Sequence, residues 1–190
     1  MAITRLGGAN AITGTIPQGN IANASLGAVT ALPAAIPTGK VLQVVSTTVT
    51  DTLTMTIGTS QTAITGLSAN ITPSSSSNKI LVMHKLLFSN ATGGNVTVHF
   101  QRNGSEEIVG DNDGGVRGYI SMNTANMNNY WGMEAGGSAL DSPSTTSQIT
   151  YRLTVRSVYS NQTVYFNRTA RGDSGDINGV STITLMEIAG

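Results

Sequence analysis

The side chains with chemistry to offer are few in this sequence, and they lie far apart. His84 and His99 are the only imidazoles among 190 residues, and there is no cysteine. A metal site built on the two histidines would need carboxylates converging from elsewhere in the chain. Both sit in runs that read as strands, so an imidazole on a strand face is the simpler expectation, with the two as cross-strand neighbours if those strands pair. A serine–histidine–acid triad lacks the Gly-x-Ser-x-Gly turn that exposes its nucleophile. The densest acidic group is Glu106, Glu107, Asp111 and Asp113. It contains the carboxylate pair that glycoside hydrolysis requires, on a chain smaller than the elongated platforms of glycan depolymerases. Asp111-Asn112-Asp113-Gly114 opens like a calcium loop but lacks the later oxygens and the closing glutamate, which leaves a turn. No catalytic, metal or cofactor-binding residue is assigned.

Two other features bear on recognition. Arg171-Gly172-Asp173 is an integrin-type tripeptide, but the adjoining Ser174-Gly175-Asp176 repeats its flavour, and a loop turn accounts for both. Tyr119, Tyr130 and Trp131 lie among glycines and asparagines, with Met122, Met127 and Met133 close by. Aromatic rings offer large contact area at small entropic cost. These three form either a receptor-contact patch or a plug for the core or a trimer axis.

The composition narrows what such residues can serve. Ten basic and ten acidic residues give a net charge of zero, and charged residues are 11% of the chain. Nucleic-acid binding needs clustered Lys and Arg that release counterions from phosphates, and no cluster exists. No run approaches the roughly 20 apolar residues of a membrane-spanning helix. Met1-Ala2-Ile3-Thr4-Arg5 does not open like a signal peptide, so the product is expected to accumulate in the cytoplasm where it is made. Without disulfides, robustness outside a cell has to come from packing or oligomerisation.

The chain changes character near Gly39. Residues 1–38 are rich in Gly, Ala, Asn and Pro, with aliphatics at irregular spacing that fits neither strand nor heptad. Alone they bury too little to offset ordering entropy of roughly 1–2 kcal/mol per residue. They act as a linker, or order only against copies of themselves or a docking partner. From Lys40 onward the sequence reads as strands: Val41–Val45, Leu53–Ile57, Leu67–Ile71, Lys79–Phe88, Val96–Phe100, Ile149–Val155, Thr163–Phe166 and Ser181–Ile188. Lys79–Phe88 is the most continuously apolar and is expected to be buried on both faces. The Gly93-Gly94 turn pairs it with Val96–Phe100 as a hairpin. Residues 103–147 read as long glycine-rich loops around short strands at Tyr119-Ile120 and Tyr130-Trp131. Many short strands and no helical face predict an all-β, jelly-roll-like sandwich head over residues 39–190, preceded by an extended stem over residues 1–38.

Several segments carry a resemblance when taken in order. They are Gly39-Lys40-Val41-Leu42-Gln43-Val44-Val45, Ile71-Thr72-Pro73-Ser74 through Asn78-Lys79-Ile80-Leu81-Val82, Leu140-Asp141-Ser142-Pro143, Tyr165-Phe166-Asn167-Arg168, and Ser181–Ile188. Together they resemble the C-terminal domain of tail-fibre and head-fibre proteins of tailed bacteriophages from marine and cyanobacterial hosts. The resemblance implies a homotrimeric β-sandwich head on a thin stem at the virion surface, made in the bacterial cytoplasm. Its partners would be copies of itself, other virion proteins of tail, collar or capsid, and a glycan or protein of the host surface. A capsid-decorating role and, from another class, a small glycan hydrolase are the alternatives. Ile3, Leu6, Ile12, Ile16 and Ile21 are the expected anchoring contacts of the stem, because extended segments dock through a few apolar anchors and order as they bind.

Overall fold

A computed structural model describes residues 40–91, 94–106, 121–124 and 130–190. The stem contacts Ile3, Leu6, Ile12, Ile16 and Ile21, together with Tyr119, Glu107, Asp111 and Asp113, lie outside these residues.

The described chain is all strand and loop. Eleven strands follow in order: β1 (Val41–Val49), β2 (Leu53–Ile57), β3 (Thr62–Ile71), β4 (Lys79–Asn90), β5 (Val96–Arg102), β6 (Ser105–Glu106), β7 (Ser121–Thr124), β8 (Met133–Asp141), β9 (Ile149–Ser157), β10 (Gln162–Phe166) and β11 (Ser181–Ile188). They form two antiparallel sheets. In the first, β8 runs along one edge of β4 from Ile80 to Phe88, so β11 and β10 divide the other edge between them, and β1 and β2 flank these in turn. The second has the order β3-β9-β5-β6, with β7 also against β5. Successive strands keep switching sheets, as in a jelly-roll-like sandwich.

Alternation decides which side chains meet between the sheets. Ile80, Val82, Leu86 and Phe88 of β4 face Val98 and Phe100 of β5 and Leu153 and Val155 of β9, all at most 2% exposed. Phe88 and Phe166 stack with centroids 6.4 Å apart. The opposite face of β4 is half-exposed, with Lys79 and Lys85 in solvent. β4 is therefore central but buried on one side only; β5 and most of β9 are the strands buried on both.

The expected β4–β5 hairpin does not form. β5 pairs with β9, β6 and β7, while β4 pairs with β8, β10 and β11, so the chain crosses from one sheet to the other between them. The region read as loops holds a nine-residue strand, β8, whose Gly136 and Gly137 lie opposite Lys85 and His84. Tyr130 and Trp131 precede this strand and are not part of one. At Gly66, φ is +83° and the register against β9 shifts between Ala63 and Ser68, so β3 runs through a bulge and starts at Thr62, five residues before the strand start expected at Leu67.

Three buried polar side chains lock the strand ends. Glu187 of β11 is 1% exposed. Its Oε1 accepts bonds from the Ser74 amide (2.6 Å), the Ser74 hydroxyl (2.8 Å) and Asn78 Nδ2 (2.5 Å), and its Oε2 accepts one from Gln43 Nε2 (2.5 Å). Both carboxylate oxygens of Asp141 in β8 accept from Arg102 Nη1 (2.9 and 2.8 Å), and Oδ2 also accepts from the Tyr151 hydroxyl (2.6 Å), tying one sheet to the other. Asn167, at φ +58°, donates to the carbonyls of Val49 and Asp51 (both 2.9 Å) and accepts from the Ser181 hydroxyl (2.6 Å).

Burial alone would raise the Glu187 pKa, but the bonds from Gln43, Asn78 and Ser74 outweigh it and bring the carboxyl down to about 2. Its contribution to stability is complete above the ordinary value of 4.5 and is lost as pH falls through about 2. Glu187→Gln places an NH2 group where the loop presents only donors. It is expected to cost about 2–3 kcal/mol in urea unfolding and to flatten the stability profile between those pH values; an unchanged midpoint would contradict this lock.

Candidate functional site

The two histidines are separated by the fold. His84 is an inward position of β4, 6% exposed, with its ring edge-on to Phe100 at 4.9 Å. Neither ring nitrogen has a side-chain hydrogen-bond partner among the described residues. Burial drives its pKa down to about 4, and the nearby Gly137 backbone offsets only part of that. His99 is on the outer face of β5, where its Nε2 lies 2.9 Å from the Thr97 hydroxyl. The two are not cross-strand neighbours, because β4 and β5 belong to different sheets. Among the described residues no three His, Asp or Glu side chains are grouped to hold a metal ion.

His84 is a core residue that has to stay neutral. Its unfolded form takes up a proton below about 6.5, while the folded form resists until about 4. Stability is thus complete above 6.5 and falls as pH drops to 4, by about 3 kcal/mol over that window. His84→Leu is expected to flatten this part of the profile in urea titrations at pH 7, 5.5 and 4. Equal slopes for the two proteins would show that His84 is not the group responsible.

One surface feature, distinguished by its exposed aromatics, is a groove of about 270 Å³ lined by Leu87, Tyr130, Trp131, Gly132, Thr169, Gly175, Asp176 and Ile177. Three elements make it. Leu87, on the outer face of β4, is the apolar floor; a side chain at Gly179 would collide with it, which keeps the β10–β11 loop close. The residues entering β8 supply Tyr130 and Trp131, 57% and 69% exposed. The loop after β10 supplies the opposite wall, with Ile177 at 76% exposure.

That loop is braced by its own charges. Arg171 pairs with Asp173 at 2.9 Å and with Asp176, and Asp176 also accepts from the Thr169 hydroxyl (2.6 Å) and the Asp173 amide (2.9 Å). Arg171, and next the Thr169 hydroxyl, hold the Asp176 carboxyl well below the usual carboxylate range. Gly172, at φ +68°, allows the turn. Arg171 and Asp173 of the integrin-type tripeptide are thus paired with each other within the loop, and Arg171 also holds Asp176. The Arg171 guanidinium also lies 5.0 Å from the centroid of the Tyr130 ring, a contact that orients an otherwise solvated aromatic.

The structure thus brings Tyr130 and Trp131 together on the surface and keeps them out of the hydrophobic core. Sequence reasoning missed Ile177 and Leu87. Ile177, an isolated aliphatic in a loop of glycines and charges, was the available signal; Leu87 carried none beyond its place in a strand.

No protein-family model and no curated protein sequence matches this chain. Solved structures of infectious bursal disease virus proteins are similar at low level. One from the Gt strain is 14% identical, covering 77% of this chain and 42% of its own, with a TM-score of 0.40. A structure of T=1 particles derived from that virus is 13% identical, covering 77% and 36%, at 0.42. Its VP2 subviral particle is 12% identical, covering 77% and 37%, at 0.39. This chain spans less than half the length of these proteins, and likeness at this level carries no functional argument.

Proposed function

We propose that this chain is a non-enzymatic adhesive subunit of a bacteriophage particle, a homotrimeric fibre whose sandwich head touches the host surface through the Tyr130–Trp131 groove. The observation that carries this reading is the placement of two large aromatics, mostly solvent-exposed, over an apolar floor on a framework locked by buried polar side chains. Apart from the Tyr130–Arg171 contact, rings this exposed contribute little to the fold, yet they are the residue types that dominate binding energy at protein surfaces. The same scaffold without disulfides suits a virion component made in the cytoplasm, and the resemblance of its ordered segments to phage fibre domains points the same way. Residues 1–38 fit the role of virion anchor, with Ile3, Leu6, Ile12, Ile16 and Ile21 as contacts to the tail, collar or capsid protein that receives them.

Trp131 is the only tryptophan in the chain, so its fluorescence reports the groove alone. In the free protein it is expected to be readily quenched by acrylamide, and host cell-surface extract is expected to protect it. Tyr130→Ala and Trp131→Ala should leave the unfolding midpoint within about 0.5 kcal/mol of the parent and reduce attachment to host cells by about 30-fold or more. Asp173→Ala should leave attachment unchanged. Attachment that survives both aromatic substitutions would overturn this reading of the groove. Deleting residues 1–30 is expected to leave a soluble head with a β-type spectrum that no longer enters particles; normal occupancy would move the anchor into the head.

A further inference from the structure

The exposed apolar side chains of the head are concentrated, and the groove accounts for only some of them. Val41, Leu42, Val44 and Leu140, each 45–56% exposed, gather at the end of the β1–β11–β4–β8 sheet remote from Leu87. Register places two of them, Val44 and Leu140, at the ends of one row. Val44 lies opposite Met186, Met186 opposite Leu81, and Leu81 opposite Leu140, so an apolar line crosses four strands without interruption. Outward-facing side chains on adjacent strands stand close enough to form one surface. The adjoining row runs from Ser46 through Thr184 and Met83 to Ser138 and carries no charge. Beyond it Lys85 is paired with Glu134 at 3.2 Å, and Lys79 stands at the margin.

Charge and size together indicate the occupant. A face that carries net charge repels its own copy; this one is nearly neutral, with its one central cation paired, and can meet itself. The four-strand row is about 15 Å across and supplies a few hundred Å² at most, whereas a stable interface needs about 800 Å² from each partner. The chain itself holds the means to make up the difference. The 39 residues before Lys40, with their scattered aliphatics, join the head at the first residue of β1, immediately beside Val41, Leu42 and Val44. Copies meeting at this row bring their Lys40 residues close together, where that aliphatic-bearing sequence joins the head. A foreign partner would gain nothing from that coincidence.

We propose that the Val44–Met186–Leu81–Leu140 row is the self-association surface of the head, covered by the other copies of this chain in the multimer. This rests on the multimeric reading above and adds the surface to it. The test uses the full chain at micromolar concentration, by native mass spectrometry and light scattering. The parent is expected to be a trimer, and Val44→Lys/Leu140→Lys to dissociate at concentrations at least tenfold higher, with an unchanged β spectrum. Tyr159→Lys, at a residue 77% exposed and outside the row, should stay associated. Should the lysine pair fail to fold, Val44→Ser/Leu140→Ser gives the same comparison without added charge. A folded double variant that associates as tightly as the parent overturns the surface while leaving the multimer intact. A monomeric parent overturns the multimer and the surface together.

Discussion

The ends of this sandwich depend on a carboxylate that has been taken out of water and given only donors. Glu187 sits at an inward position of the last strand, where an apolar residue would be expected, and gathers bonds from β1 and from the loop between β3 and β4. That loop is the passage from one sheet to the other. Its serines have little apolar surface to hold them, so its position is set by a charge that cannot be left unsatisfied. Asp141 does the same between β8 and the second sheet, and Asn167 between β10, β11 and the turn after β1. Each lock lies where the chain changes sheet or direction, and hydrophobic packing alone would leave those places loose.

The two outer faces then diverge. Behind the second sheet, Gln61 accepts from Gln101 and Thr154, and Gln101 accepts from Arg152, so the polar face is knitted to itself. Its Thr97, His99 and Thr154 are nearly inaccessible. The first sheet shows the opposite character, with apolar side chains at one end, hydroxyls in the middle and an aromatic groove at the other end. A protein with 11% charged residues has little with which to cover such a face, and surface of this kind marks interaction. In the proposed assembly the two ends of β4 serve different contacts, one with other copies of the chain and one with a ligand.

Much of this was legible in the sequence, and for a physical reason. Strands with clean alternation, such as Leu53–Ile57 and Ser181–Ile188, were readable to the residue because one face is core and the other is not. The ordered segments that resembled phage fibre domains contain Gln43, Ser74, Asn78, Asp141, Asn167 and Glu187, which the structure shows to be the locks. A pattern of that sort records how a fold is held and leaves its ligand unstated. β8 was hidden because Gly136 and Gly137 look like a loop, although glycine in a strand only weakens it and here faces a well-packed partner. The false hairpin came from treating Gly93-Gly94 as a tight turn, when strand pairing is chosen by long-range contacts that no local pattern encodes. The groove was half visible: the aromatics stood out, and the wall from the loop after β10 required three dimensions.

The proposed assembly is a spatial arrangement, and an electron cryomicroscopy map of particles assembled with this chain tests it most directly. Three heads are expected around a common axis at the virion surface, with the Val44–Leu140 rows turned toward that axis and Trp131 open to solvent. Isolated heads, or Trp131 packed against the shell with the apolar rows facing solvent, would contradict it.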